Sequence, residues 1–276
     1  MSHRLDLSSS RAKLGRAEHH LKELEGDITS WANGGPDGVP ALGRRYELKT
    51  HPDRLELFST HVKPIKREWS LLIGDVLTNF GAALDHLAWE LVPSKRQLNE
   101  KQLRAIYFPL YATTRKDFLA NVRRRELPGV SKHRLLMLSP FQPYKSRQQS
   151  WFFRNRLYLN LPIPPGPLMV LKTLLRVDKH RTVLVTILRP GSYRTSPGVV
   201  ESTVPMGTPR EPLKANAHLV TFILRSPLPA DVSYDEVAMH AQFTPTVGFQ
   251  DVGTAVIPTL QDMATEIKKI LWKFGG

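Results

Sequence analysis

The 276-residue chain contains no cysteine, which removes disulfides, thiolate zinc sites and cysteine nucleophiles together. It has no apolar run near the ~18 residues that span a bilayer, and its opening, MSHRLDLSSS, is too polar for a signal-peptide core. A cytoplasmic protein without membrane insertion is therefore expected. There is no Walker loop, G-x-G-x-x-G, G-x-S-x-G or H-E-x-x-H, and no histidine pair at clear metal spacing. No cofactor and no metal are expected. Acidic residues are also scarce, but only in one place. Residues 101–200 carry 19 Lys and Arg against 3 Asp and Glu, whereas residues 1–100 carry 14 of each and residues 201–276 carry 6 against 8. The whole net charge of +14 thus lies in the middle third.

A local field of this kind attracts a polyanion. The densest part includes Arg115, Lys116, Arg123, Arg124, Arg125, Lys132, Arg134, Lys145, Arg147, Arg154 and Arg156. Aromatics are interleaved, among them Tyr107, Phe108, Phe118, Phe141, Trp151 and Tyr158. Guanidinium groups hold phosphates bidentately and aromatic faces stack bases, so the composition suits RNA or single-stranded DNA. The competing reading is a solvated Arg-rich face whose aromatics belong to the core.

Hydrophobic spacing predicts an α+β fold in a single domain over 1–276. After Ser8-Ser9-Ser10, which can cap a helix, Leu14, Ala17, Leu21, Leu24, Ile28 and Trp31 repeat at steps of three and four. Tyr46–Lys49 and Leu55–Val62 alternate as a hairpin. The strongest helix runs from about Glu68 to Leu91 and ends before Pro93. The basic segment, about 93–181, is irregular, with small helices near 114–125 and 130–138 and a helix from Pro167 to near His180. A β-rich segment follows at about 182–250, with strands at Val183–Leu188, Val199–Val204, Leu219–Leu224 and Val237–Phe243, then a last helix over about 257–274.

Two polar clusters need a reason. On the helix over 68–91, Asp75, Asn79, His86 and Glu90 form one stripe, with Asp85 adjoining. Such a row could orient a general base, bind a divalent metal or hold a phosphate; the reading that the stripe alone favours is the ordinary solvated side of an amphipathic helix. The second cluster is Arg176-Val-Asp178-Lys179-His180-Arg181, whose cations suit a helix C-terminus. If the helices meet, His86, Asp85, His180 and Arg181 are the catalytic candidates, with Asp75, Asn79 and Asp178 in support.

The segments IGDVLTNFGAALDHLAWEL (73–91), IYFPL (106–110), LSPFQPY (138–144) and LLRVDKHR (174–181) resemble a broad family of uncharacterised bacterial and phage proteins. Its members look like G-D-x-x-x-N-L-R-S-A-L-D-H, then F-P, Q-P-Y and D-K-H-R. The central helix is also reminiscent of the HEPN group of helical RNA-processing modules, which cleave RNA without a metal using an Arg and a His. The resemblance implies His86 in that role. The position of the family's Arg is Gly81 here, so Arg176 or Arg181 would have to replace it in space. The expected function is nucleic-acid binding, as a metal-independent ribonuclease-like module or a degenerate copy of one. The alternative is a non-catalytic interaction protein, such as a subunit of a phage particle or defence complex, whose basic segment meets an acidic partner.

Overall fold

A computed structural model of the chain describes residues 5–48, 53–93, 95–110, 114–143, 166–178, 185–188, 199–203, 213–224, 246–249 and 254–275. The fold is α+β. Where a single domain is expected, contacts gather into two compact units. One comprises residues 1–24, 67–183 and 257–276; the other comprises 25–66 and 184–256.

The first unit is helical. Helix α1, Ser8–Ala32, contributes residues 8–24 to it. The expected serine cap is replaced. Ser8 already belongs to the helix, and its N–H donates to the Asp6 carboxylate at 2.9 Å, which also holds the Asp6 pKa below the ordinary carboxylate range. Helix α2, Glu68–Leu91, has the expected limits. Trp69, Ile73, Val76, Phe80, Leu84, Leu87 and Leu91 are all buried. Val92 is extended because the following Pro93 disfavours helical backbone before it. Among the described residues, four short or medium α-helices follow: α3 (Glu100–Arg104), α4 (Arg115–Arg125), α5 (Lys132–Leu138) and α6 (Pro167–Asp178). The C-terminal helix α7, Val256–Gly275, buries Leu260, Met263, Ile267 and Ile270. Lys268 of α7 pairs with Glu18 of α1.

Helix α3 lies in sequence expected to be irregular. Its signal was present: Asn99 and Gln102 form a capping box, each side chain accepting from the other's backbone N–H at 2.9 and 3.0 Å.

Helices α2 and α6 pack through two glycines seven residues apart. A Cβ built on Gly74 would lie 2.8 Å from Asp178 Oδ1, and one on Gly81 would lie 3.2 Å from Leu175 Cδ1. The bare backbone of α2 therefore sets how closely α6 approaches.

The second unit holds the strands. α1 ends at Ala32, and two residues on the chain turns at Gly34, whose φ of 112° suits glycine. β1 (Leu42–Leu48) and β2 (Arg54–Val62) form the expected hairpin, longer at the start than the alternation suggested. With β4 (Val199–Thr203) and β5 (His218–Leu224) they make an antiparallel sheet in the order β1-β2-β5-β4. Leu55 faces Phe222 and Leu57 faces Val220 across the central pair. β3 (Val185–Leu188) pairs with β6 (Thr246–Phe249) in a separate two-stranded sheet. The strand expected at Val237–Phe243 lies outside the described residues.

Candidate functional site

The residues of the α2 stripe have separate partners. Asn79 is buried, and its amide donates to the Asp75 carbonyl one turn back at 2.8 Å. His86 Nδ1 shares a short hydrogen bond with Ser9 Oγ of α1. Asp85, the next residue, points about 100° away by the helical period and accepts the Phe108 backbone N–H at 2.8 Å. Asp85 and His86 thus serve different neighbours. Asp75 is exposed and stands near Asp178 at the end of α6. Burial pushes the Asp178 pKa up, and the charge of Asp75 raises it further. His180 and Arg181 lie outside the described residues.

A cleft of about 790 Å³ opens beside α2, within the helical unit. Gly81, Leu84, Phe108, Leu171 and Leu175 supply its apolar walls. Three cations line it, Arg125, Lys172 and Arg176, and three carboxylates, Asp85, Asp117 and Glu126. Each is positioned by its element. Asp117, Asn121 and Arg125 follow one another at i, i+4 and i+8 on α4, hence on one face. Asp117 also completes the cap of this helix: Thr114 Oγ1 donates to its carboxylate at 2.8 Å and accepts its N–H at 3.1 Å. Lys172 Nζ donates to the Leu110 carbonyl at 2.8 Å. The Tyr107 hydroxyl lies 3.4 Å from the buried Glu126 carboxylate. Burial raises the phenol's pKa, and the Glu126 charge adds to the rise. Arg125 and Arg176 are exposed and form no ion pair among the described residues.

Beyond the cleft, α4 presents Arg115, Lys116, Arg123 and Arg124 to solvent. None of the four has a carboxylate at ion-pair distance among the described residues. Phe118 and Val122 anchor in the core the side of this helix opposite Lys116, Arg123 and Arg124, and Arg115 is exposed in its first turn. On α5, Lys132 is exposed, whereas Arg134 Nη1 donates to the Leu91 carbonyl at 3.2 Å and so closes the end of α2. Lys145, Arg147, Arg154 and Arg156 lie outside the described residues. The interleaved aromatics divide: Phe108 and Phe118 are core, whereas Tyr107 is half exposed at the cleft.

The arrangement brings Asp85 and Arg176 to one cleft and leaves His86 out of its lining. Sequence reading missed Tyr107, Asn121, Glu126 and Lys172 as members. The i, i+4, i+8 spacing of Asp117, Asn121 and Arg125 was a usable signal; the meeting of α4 with α2 and α6 was not. Among the described residues, no group of three or more His, Asp or Glu is placed to hold a metal ion, and no helix is long and apolar enough to cross a membrane. Comparison with protein-family models, curated proteins and solved structures found no match.

Proposed function

We propose that this chain binds single-stranded nucleic acid, RNA or DNA, along the exposed face of α4. The observation that carries the reading is the set Arg115, Lys116, Arg123 and Arg124: four solvent-facing cations on one eleven-residue helix, without ion-pair partners among the described residues. Such unneutralised cations bind phosphates by releasing condensed counterions, so affinity falls with salt. Lys132 extends the basic face on α5. The half-exposed Tyr107 supplies an aromatic surface for a base.

In this reading His86 ties α1 to α2 through Ser9, and the chain is a binder rather than a ribonuclease. The distant family resemblance around 73–181 fits a degenerate copy of a nuclease module, in which Gly81 stands where the family has Arg.

The test is fluorescence anisotropy with a labelled single strand of about 20 nucleotides. For four phosphate contacts, log K should fall against log salt with a slope of about −3, at roughly 0.7 per contact. The triple variant Lys116→Glu, Arg123→Glu, Arg124→Glu should lose most of the affinity and flatten the slope. His86→Ala should bind as the parent does. Affinity independent of salt between about 50 and 200 mM would sink the proposal. Strand cleavage lost in His86→Ala would restore the nuclease. Polyglutamate competing as well as RNA would replace the nucleic acid with an acidic protein partner.

A further inference from the structure

The cleft is not explained by strand binding along α4, and Arg125 belongs to the cleft. It sits in the same run as Arg123 and Arg124 but points to the other side of the helix, into the cleft. Gly81 keeps the opposite wall low. A Cβ there already reaches 3.2 Å from Leu175, so any longer side chain would fill the space or displace α6.

The chemistry of the walls narrows the ligand. Three cations face three carboxylates, so a bare anion meets no net attraction. Arg125 and Arg176, without ion-pair partners among the described residues, still offer guanidinium forks to a localised negative group. The carboxylates already accept from the protein, Asp85 from the Phe108 N–H, Asp117 from Thr114 Oγ1 and Glu126 from the Tyr107 hydroxyl, and a carboxylate with about four acceptor sites can accept from ligand donors as well. Leu110, Leu175 and the half-exposed ring of Tyr107 present apolar surface to a flat or greasy body, with Leu84, Phe108 and Leu171 buried in the same wall. The volume, about 790 Å³, lies within the range of small-ligand sites. A ligand with one phosphate, an apolar planar ring and several amino or hydroxyl donors satisfies all four conditions.

We propose that the cleft holds a nucleoside monophosphate unit, with its phosphate between Arg125 and Arg176 and its base against the apolar wall. The identification of this unit with a nucleotide of the bound strand rests on the function proposed above; a free mononucleotide carries the same chemistry.

The experiment titrates the full chain with the four ribonucleoside monophosphates, the matching nucleosides and inorganic phosphate, by calorimetry. At least one nucleotide should bind saturably, and at least about tenfold more tightly than its nucleoside or inorganic phosphate, because charge-assisted bonds and apolar contact both contribute. Arg176→Ala should weaken it by about tenfold or more. Gly81→Leu should abolish binding. Because that change presses on α6, its circular dichroism melt is recorded, and the exposed Arg176 provides the independent variant. Absence of nucleotide binding, equal binding of phosphate alone, or an unaffected Arg176→Ala variant would each overturn the inference.

The two proposals separate cleanly. The α4 charge-reversal triple should leave mononucleotide affinity intact. Strand binding without mononucleotide binding removes only the cleft site. Mononucleotide binding without strand binding removes the function proposed above and makes the ligand a free nucleotide. Displacement of the labelled strand by the mononucleotide assigns the cleft to the strand.

Discussion

Asp178 shows how a single side chain couples a motif to its surroundings. Its carboxyl approaches the backbone of α2 at Gly74, near the Asp75 charge. Burial and that like charge hold its pKa above the ordinary value of 3.8. The sign of the consequence follows from proton linkage. Between the unfolded and folded pKa values the native state binds more protons. The contribution of Asp178 to stability is therefore full below the unfolded pKa and is lost as pH rises through the folded one. Asp178→Asn keeps the shape and removes the ionisation. It should raise the urea midpoint at pH 7 and give no gain near pH 3, both read from equilibrium unfolding. A gain of equal size at both values would show that charge is not the cause. His86 and Asp85 carry the complementary lesson. They are adjacent in sequence and conspicuous together, but one binds the Ser9 hydroxyl and the other the Phe108 amide. Adjacent positions on a helix project to different sides, so their pairing on paper does not bring them together in space.

At the scale of elements, α2 is where local signals and tertiary contacts agree. Its buried face follows the helical period, and Pro93 sets its end. A third side, between the buried face and the polar stripe, carries the glycine seam on which α6 rests. Gly74 and Asp178 should be energetically coupled through the 2.8 Å separation a Cβ would impose. Gly74→Ala gains helix propensity worth about 1 kcal/mol but must move the carboxylate. In a double-mutant cycle, Gly74→Ala should be less favourable in the parent than in the Asp178→Ala background, by about 0.5–2 kcal/mol. Strict additivity would mean that the carboxylate swings aside at no cost. The short helices were legible unequally. α4 and α5 carry Thr114 and Ser131 caps that accept backbone N–H groups at 3.1 and 3.3 Å, and their positions followed from the sequence. α3 was missed because five residues give too little periodicity to stand out, even with a capping box.

At the scale of the whole molecule, the strand-bearing unit is built from segments far apart in the chain. β2 begins at Arg54 and its partner β5 at His218, so the central ladder closes across more than half of the sequence. Leu57 is fully buried in that ladder. Leu57→Ala should cost about 2–5 kcal/mol of stability, measured by denaturant unfolding. Strand affinity per folded molecule should be unchanged, since α4 belongs to the other compact unit. A loss of affinity that does not track the unfolded fraction would place Leu57 in the binding function.

The charge asymmetry, the α+β class, the limits of α2 and the face it buries were determined by the sequence alone. These depend on composition and on periods of two or 3.6 residues, which are local properties of the chain. Tertiary structure decided which polar groups share a space. It gave Asp85 and His86 different partners and brought Asp85, Arg125, Lys172 and Arg176 to the lining of one cleft beside Gly81. The physical reason is that a helix has several faces: the period assigns a residue to one of them, and only the packing of α2 against α6 and the approach of α4 determine what that face meets.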